Sequence, residues 1–157
     1  DIEITTTVPS SAFYGTARSK QFDATRRYLG SFMTDAAAAI VPFAHVGDSV
    51  FYRATTTSAP YRILSNGTAT ASTNVSASAV APLTARTATF NAYNLSTVSD
   101  LLLGMGGDTV NIMQLSPSYY QPITLPLDSS QQVFYRNSAA PSPNGAFLDL
   151  NSYTYER

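Results

Sequence analysis

The feature that most restricts how this chain can fold is the recurrence of short two-residue alternations. In ARTATFNAY, residues 85–93, Ala88, Phe90 and Ala92 fall on one side and Thr87, Thr89 and Asn91 on the other. That is the period of an extended strand with one face buried. NVSASAV repeats the pattern with Val75, Ala77 and Ala79, and TVNIMQL places Val110, Ile112 and Gln114 on one side. RRYLGSFMT, IVPFA, SVFYRA, YRILSNGTATA, SDLLLG, PITLPLD, QVFYR and AFLDLNSYTYER add β-branched and aromatic runs of the kind enriched in strands. The series amounts to roughly nine to eleven strands at intervals of about eight to twelve residues. No segment holds apolar residues at the helical period for three turns. The nine prolines and eight glycines sit mostly between the runs, where connections need them. The pattern predicts an all-β fold, an antiparallel β-sandwich of jelly-roll-like topology.

Local signals refine this expectation. Asn66-Gly67 predicts a tight hairpin. Four alanines, Ala36 to Ala39, have the best helix propensity in the chain. They make only about one turn, though, and a helix that short is marginal. Pro42 also holds Val41 extended, and Asp35 can bond its own backbone in a turn. A turn between two strands is therefore expected there. Residues 137–146, NSAAPSPNGA, read as a long exposed loop. Residues 1–25 read as an N-terminal arm or linker, with Ile2 and Ile4 alternating as in a short edge strand. Residues 26–157 read as the β-sandwich domain.

Composition excludes several function classes. The 157 residues suit one domain with a real core. Hydrophobic residues make up 44% and charged residues only 12%, about half the usual share. Ser, Thr and Asn supply the polarity, and Lys20 is the single lysine. Such a neutral polar surface suits long-lived assemblies in which a neighbour covers much of each face. The net charge is −1 and the arginines are scattered. Without a basic stripe, nucleic acid is not an expected partner. No cysteine is present, so neither a disulfide framework nor a cysteine zinc site is expected. No apolar run has the length of a membrane span. No secretory leader is visible, and the chain opens on Asp1 rather than methionine, as a processed product or a fragment would.

Residues 26–53, RRYLGSFMTDAAAAIVPFAHVGDSVFYR, carry a family likeness. Arg26-Arg27, Leu29-Gly30-Ser31, Thr34-Asp35, Ile40 with Phe43, Gly47-Asp48 and Phe51-Tyr52 resemble a module of tailed-bacteriophage virion proteins, especially tail fibres and spikes. The resemblance covers residues 25–53 most closely and extends more weakly through APLTARTATFNAY. The chain departs from the family in placing alanines where Ser-Gly is common and His45 where glutamine is common. The resemblance implies a strand, a small-residue turn, a second strand and a Gly-Asp turn into a third. It also implies a structural component of the virion that works as a homo-oligomer. A trimer is the expected number, joined to other virion proteins through the N-terminal arm.

Candidate catalytic groups are few. His45 is the only histidine, so a histidine metal pair cannot form, and no nucleophile elbow accompanies it for a triad. The only glutamates are Glu3 and Glu156, while Asp35, Asp48, Asp108 and Asp128 stand at turn positions, which turn chemistry explains. GMGGD, residues 104–108, is followed by a β run rather than the helix a phosphate loop needs. No cofactor, metal site or catalytic residue is expected. Tyr119 and Tyr120, between two prolines in SPSYYQP, are the candidate receptor- or glycan-binding residues, read as sitting in an exposed loop. Tyrosine pairs an apolar face with a polar tip, which suits sugars and interfaces. Three N-x-[ST] sequons occur, at Asn66, Asn74 and Asn94, and about two arise by chance in a chain so rich in Ser and Thr. The expected function is therefore a non-enzymatic tail-fibre or spike domain of a phage particle that attaches to a host surface glycan or protein. A capsid head-spike or decoration protein, a non-viral carbohydrate-binding β-sandwich and a polysaccharide depolymerase are the alternatives.

Overall fold

The computed structural model describes residues 2–6, 9–10, 19–20, 22–35, 37–54 and 56–155. Every regular element among them is a strand. Eight of these build the sandwich: β5 (Arg62–Gly67), β6 (Thr73–Ser76), β7 (Ala85–Ser96), β8 (Leu101–Met105), β9 (Met113–Leu115), β10 (Tyr119–Pro126), β11 (Gln132–Asn137) and β12 (Pro143–Tyr155). They pair as one nested antiparallel hairpin. The innermost pair is β8 with β9, and outside it come β7 with β10, β6 with β11 and β5 with β12. Successive pairs alternate between two sheets, and the cross-pairs β7·β12 and β8·β11 close each one. The first sheet then reads β5-β12-β7-β10 and the second β6-β11-β8-β9. This rolled hairpin is the jelly-roll topology, in agreement with the sequence reading.

Side-chain alternation fills the space between the sheets. Ala88, Phe90 and Ala92 of β7 are fully buried, with Leu148 and Leu150 of β12, Ile123 and Leu125 of β10, Leu101 and Leu103 of β8, Leu115 of β9 and Val133 of β11. Alanines beside Phe90 leave room for its ring, so the two layers interdigitate.

Residues before β5 fasten onto the first sheet. β3 (Phe43–Val46) and β4 (Ser49–Tyr52) form a hairpin through the two-residue Gly47-Asp48 turn, and β4 pairs the C-terminal half of β12. Tyr153 donates to Ser31 O at 2.9 Å, Tyr155 to Leu29 O at 3.3 Å, and Tyr52 to Val80 O. Burial holds the Tyr52 and Tyr153 phenols well above the ordinary tyrosine range because the charged form would lose its water. Further upstream, β1 (Ser19–Lys20) and β2 (Asp23–Arg27) make a separate two-stranded sheet. Glu3 forms ion pairs with Lys20 and Arg26 there.

The alanine segment is a turn, but a single bridge flanks it rather than the two expected strands, since β2 ends at Arg27 and β3 begins at Phe43. Thr34 bridges Ile40, Asp35 N donates to Ala39 O, and the Asp35 carboxylate accepts from the amides of Ala37 and Ala39 at 2.9 Å each. Ala36 lies outside the described residues.

Four local expectations are corrected. Asn66-Gly67 is not a hairpin turn but the end of β5. Gly67 faces Ala146 and Leu64 faces Leu148, so β5 carries one extra residue and bulges. Asn66 takes the left-handed conformation there, at φ 52°, which Asn tolerates in a bulge as it does in a turn. A Cβ on Gly67 would stand 2.7 Å from the Tyr135 ring. Val110 and Ile112 precede β9 in the 106–112 connection and are exposed, because the ladder to β8 begins at Met113. The 137–146 loop shrinks to residues 138–142, since Pro143 already faces Ser96 of β7. Residues 2–5 join no ladder.

Candidate functional site

The outward side of the first sheet has a register that stacks like residues in rows. Tyr120 of β10 stands opposite Tyr93 of β7, which stands opposite Phe147 of β12. Strands lie about 4.8 Å apart, so these three rings form one aromatic row across three neighbouring strands. Tyr93 and Tyr120 stack with ring centroids 4.7 Å apart and 29° between their planes. The next row is Pro122, Asn91, Asp149 and Arg62. Beyond it come Thr124, Thr89 and Ser152, then Pro126, Thr87 and Thr154.

Nearly every polar group on this side is tied to a neighbour. Arg62 donates to both Asp149 oxygens, from Nε at 2.7 Å and from an Nη at 2.9 Å, and its guanidinium lies 5.0 Å from the Phe147 ring centre. Asp149 is fully buried. Its hydrogen bonds hold the Arg62 guanidinium further above its ordinary value. Burial raises the Tyr93 phenol, and the Asp149 carboxylate adds to that shift. Tyr120 Oη donates to Asn91 Oδ1 at 3.3 Å. Asn151 Oδ1 accepts from Thr56 Oγ1 at 2.8 Å and from Asn91 Nδ2 at 3.3 Å. Thr87 bonds Thr154 at 2.6 Å and Thr89 bonds Thr124 at 2.9 Å. Among the described residues, Asn151 Nδ2 and Tyr93 Oη carry no hydrogen-bond partner.

The structure separates the two tyrosines singled out from the sequence. Both begin β10 rather than occupying a loop, and both are about half exposed. Strand alternation sends them to opposite sides of the sheet. Tyr120 joins the aromatic row, while Tyr119 shares the side of Gln121, whose amide reaches Met113 Sδ of the second sheet. Sequence reasoning missed Tyr93, Phe147, Asn91, Asn151 and the Arg62–Asp149 pair. Tyr93 was within reach, being the next outward position after Asn91. Phe147 and Asp149 were not, because they meet Tyr93 and Asn91 only through the β7·β12 register.

The other candidates resolve into structural roles. His45 Nε2 meets Tyr155 Oη, at the far end of the sheet from the aromatic row. GMGGD ends β8 with Gly104 and Met105 and turns out of it at Gly106-Gly107. Asn94, part of a sequon, is fully buried and donates to Ser99 O at 2.7 Å and Ser116 O at 3.0 Å, which ties two end loops together. An open depression lined by Thr34, Asp35, Ala37, Ala59, Pro60 and Ala79 holds one charged group, Asp35, already engaged by its own turn. No group of three or more metal-ligating side chains exists among the described residues. No helix among them is long and apolar enough to cross a membrane. No protein-family model and no curated protein matches the chain.

Proposed function

We propose that this chain is a non-catalytic structural subunit of a bacteriophage particle, a tail-fibre or spike domain. In this reading it works as a homo-oligomer and presents the outward side of its first sheet to a host surface glycan. The observation that carries the reading is the aromatic row Tyr120–Tyr93–Phe147, displayed on a jelly-roll frame. A two-layer sandwich holds such a row in place, with Tyr93 and Tyr120 stacked on each other, so little ordering cost falls on binding. A row this small binds weakly alone and gains strength when several subunits engage together. Self-association is supported by exposed Val110 and Ile112 beside the second sheet, and by Val46 on the open edge strand β3.

A second reading, a head-shell, head-spike or decoration protein, is favoured by the topology itself, because jelly rolls also build viral capsids. Fold likeness alone does not choose between these positions. Native mass spectrometry of the purified chain, paired with competition for phage adsorption, tests the proposal. A trimer that blocks adsorption supports the tail-fibre reading. A larger closed ring or shell with no effect on adsorption favours the head. A monomer that binds glycans favours a free binding module and overturns both.

A further inference from the structure

We propose that the strip formed by Tyr120, Tyr93 and Phe147, with the Asn91–Asn151–Thr56 group beside it, binds an uncharged, extended oligosaccharide across the strands. The inference rests on the attachment reading and names the ligand class and the site. Three rings on neighbouring strands span about 10 Å, roughly two sugar rings laid end to end. Tyr93 and Tyr120 stack on each other and Arg62 lies over Phe147, so the strip offers the CH face of a pyranose the exposed Tyr120 ring and the ring edges of its neighbours, while sugar hydroxyls need both donors and acceptors close by. The amide row supplies these. Asn151 Nδ2 is a donor without a partner, Tyr93 Oη can donate or accept, and Tyr120 Oη keeps a free acceptor position after donating to Asn91.

Charge decides the class. The only full charges in these rows are Arg62 and Asp149, and they neutralise each other in a two-point contact with Asp149 fully buried. An acidic sugar would meet a guanidinium whose charge Asp149 already balances, and a cationic one would find the carboxylate inaccessible. The remaining rows hold only hydroxyls and prolines, with Thr87–Thr154 and Thr89–Thr124 already bonded to each other. The strip therefore offers stacking and hydrogen bonds without an ionic term.

The test is calorimetric titration of the full chain with cellotetraose, maltotetraose and mannotetraose as neutral probes and tetragalacturonate as the acidic one. At least one neutral tetrasaccharide is expected to bind, with affinity unchanged between low and high salt. Tyr120→Ala is expected to weaken it about tenfold or more. Tyr120→Phe keeps the ring and retains most of the affinity, and Tyr119→Ala, on the other side of the sheet, stays within about twofold. Thermal melts confirm that each variant is folded. Failure of all three neutral probes overturns the proposal. So does salt-sensitive preference for tetragalacturonate, or equal binding by folded Tyr120→Ala. Adsorption assays keep the two readings apart. Neutral-sugar binding without competition for adsorption sinks attachment and leaves the site standing. Competition that survives Tyr120→Ala does the reverse.

Discussion

The two outward faces of the sandwich solve the same problem differently. On the first sheet, polar side chains pair with one another across strands: Thr87 with Thr154, Thr89 with Thr124, Asn91 with Asn151, Arg62 with Asp149. Apart from Asn151 Nδ2 and Tyr93 Oη the face is satisfied, and it can remain wet. On the second sheet, Phe134 points outward yet is fully buried. It lies over Gly104, where a Cβ would come within 2.3 Å of its ring, and the backbone of Val110 crosses the same spot. The 106–112 connection thus folds back as a cover. Beside it, Leu102 stands opposite Arg136 and Gln114. One face is finished by side-chain pairs, the other by a loop. A face made of paired polar groups suits reversible contact with a hydrated ligand, whereas an apolar face suits permanent cover.

The contrast can be broken at its strongest point first. Phe134→Ala leaves a hole under the 106–112 connection and is expected to cost about 4 kcal/mol in urea unfolding. A loss under about 1 kcal/mol would mean the loop is not held by that ring. On the opposite face, Arg62→Met strands the fully buried Asp149 carboxylate and is expected to cost about 3 kcal/mol. Replacing both partners, Arg62→Met with Asp149→Leu, should recover most of this in the same assay, because no buried charge is left alone. If the double variant is no better than the single, the pair does more than neutralise itself.

Alkaline titration sharpens the comparison, since buried tyrosine phenols fasten the N-terminal segment to the first sheet. The folded state holds Tyr153 above its ordinary value of 10.0. Below that pH the phenol is neutral in both states and its burial carries no ionisation penalty. Above pH 10 only the unfolded chain ionises, so stability falls by about 1.4 kcal/mol per pH unit for this group. Urea midpoints measured from pH 8 to 11 should be flat and then drop. In Tyr153→Phe the drop becomes shallower, and an unchanged slope would place the titrating group elsewhere. The smallest effect belongs to the hydroxyl rows: Thr89→Ala removes one cross-strand pair and should cost about 0.5 kcal/mol, read as a small fall in melting temperature. A loss several times larger would show that the rows stiffen the whole face.

Much of the fold was legible in the chain. Ala88, Phe90 and Ala92 announced the inward side of β7, and Asp35 with Pro42 announced the turn at the alanines. Asn66-Gly67 misled because a residue suited to the left-handed region serves a bulge as readily as a hairpin. Val110 and Ile112 misled because alternation continues past the last ladder bond. Of the candidate site, Tyr120 was legible and Tyr93 was within reach as the next outward position after Asn91. Tyr119, next to Tyr120, shares its composition and position but not its face.

The sequence by itself determined that the chain forms strands, where most of them lie, and which side of β7 turns inward, because period and turn chemistry act over a few residues. It also determined a surface of hydroxyls and amides with little charge. Only the tertiary structure decided that Tyr120, Tyr93 and Phe147 share a row, that Asp149 meets Arg62, and that Phe134 lies beneath a loop. Those meetings depend on register between strands as far as 87 residues apart in the chain. A shift of one residue would send each of these side chains to the other face.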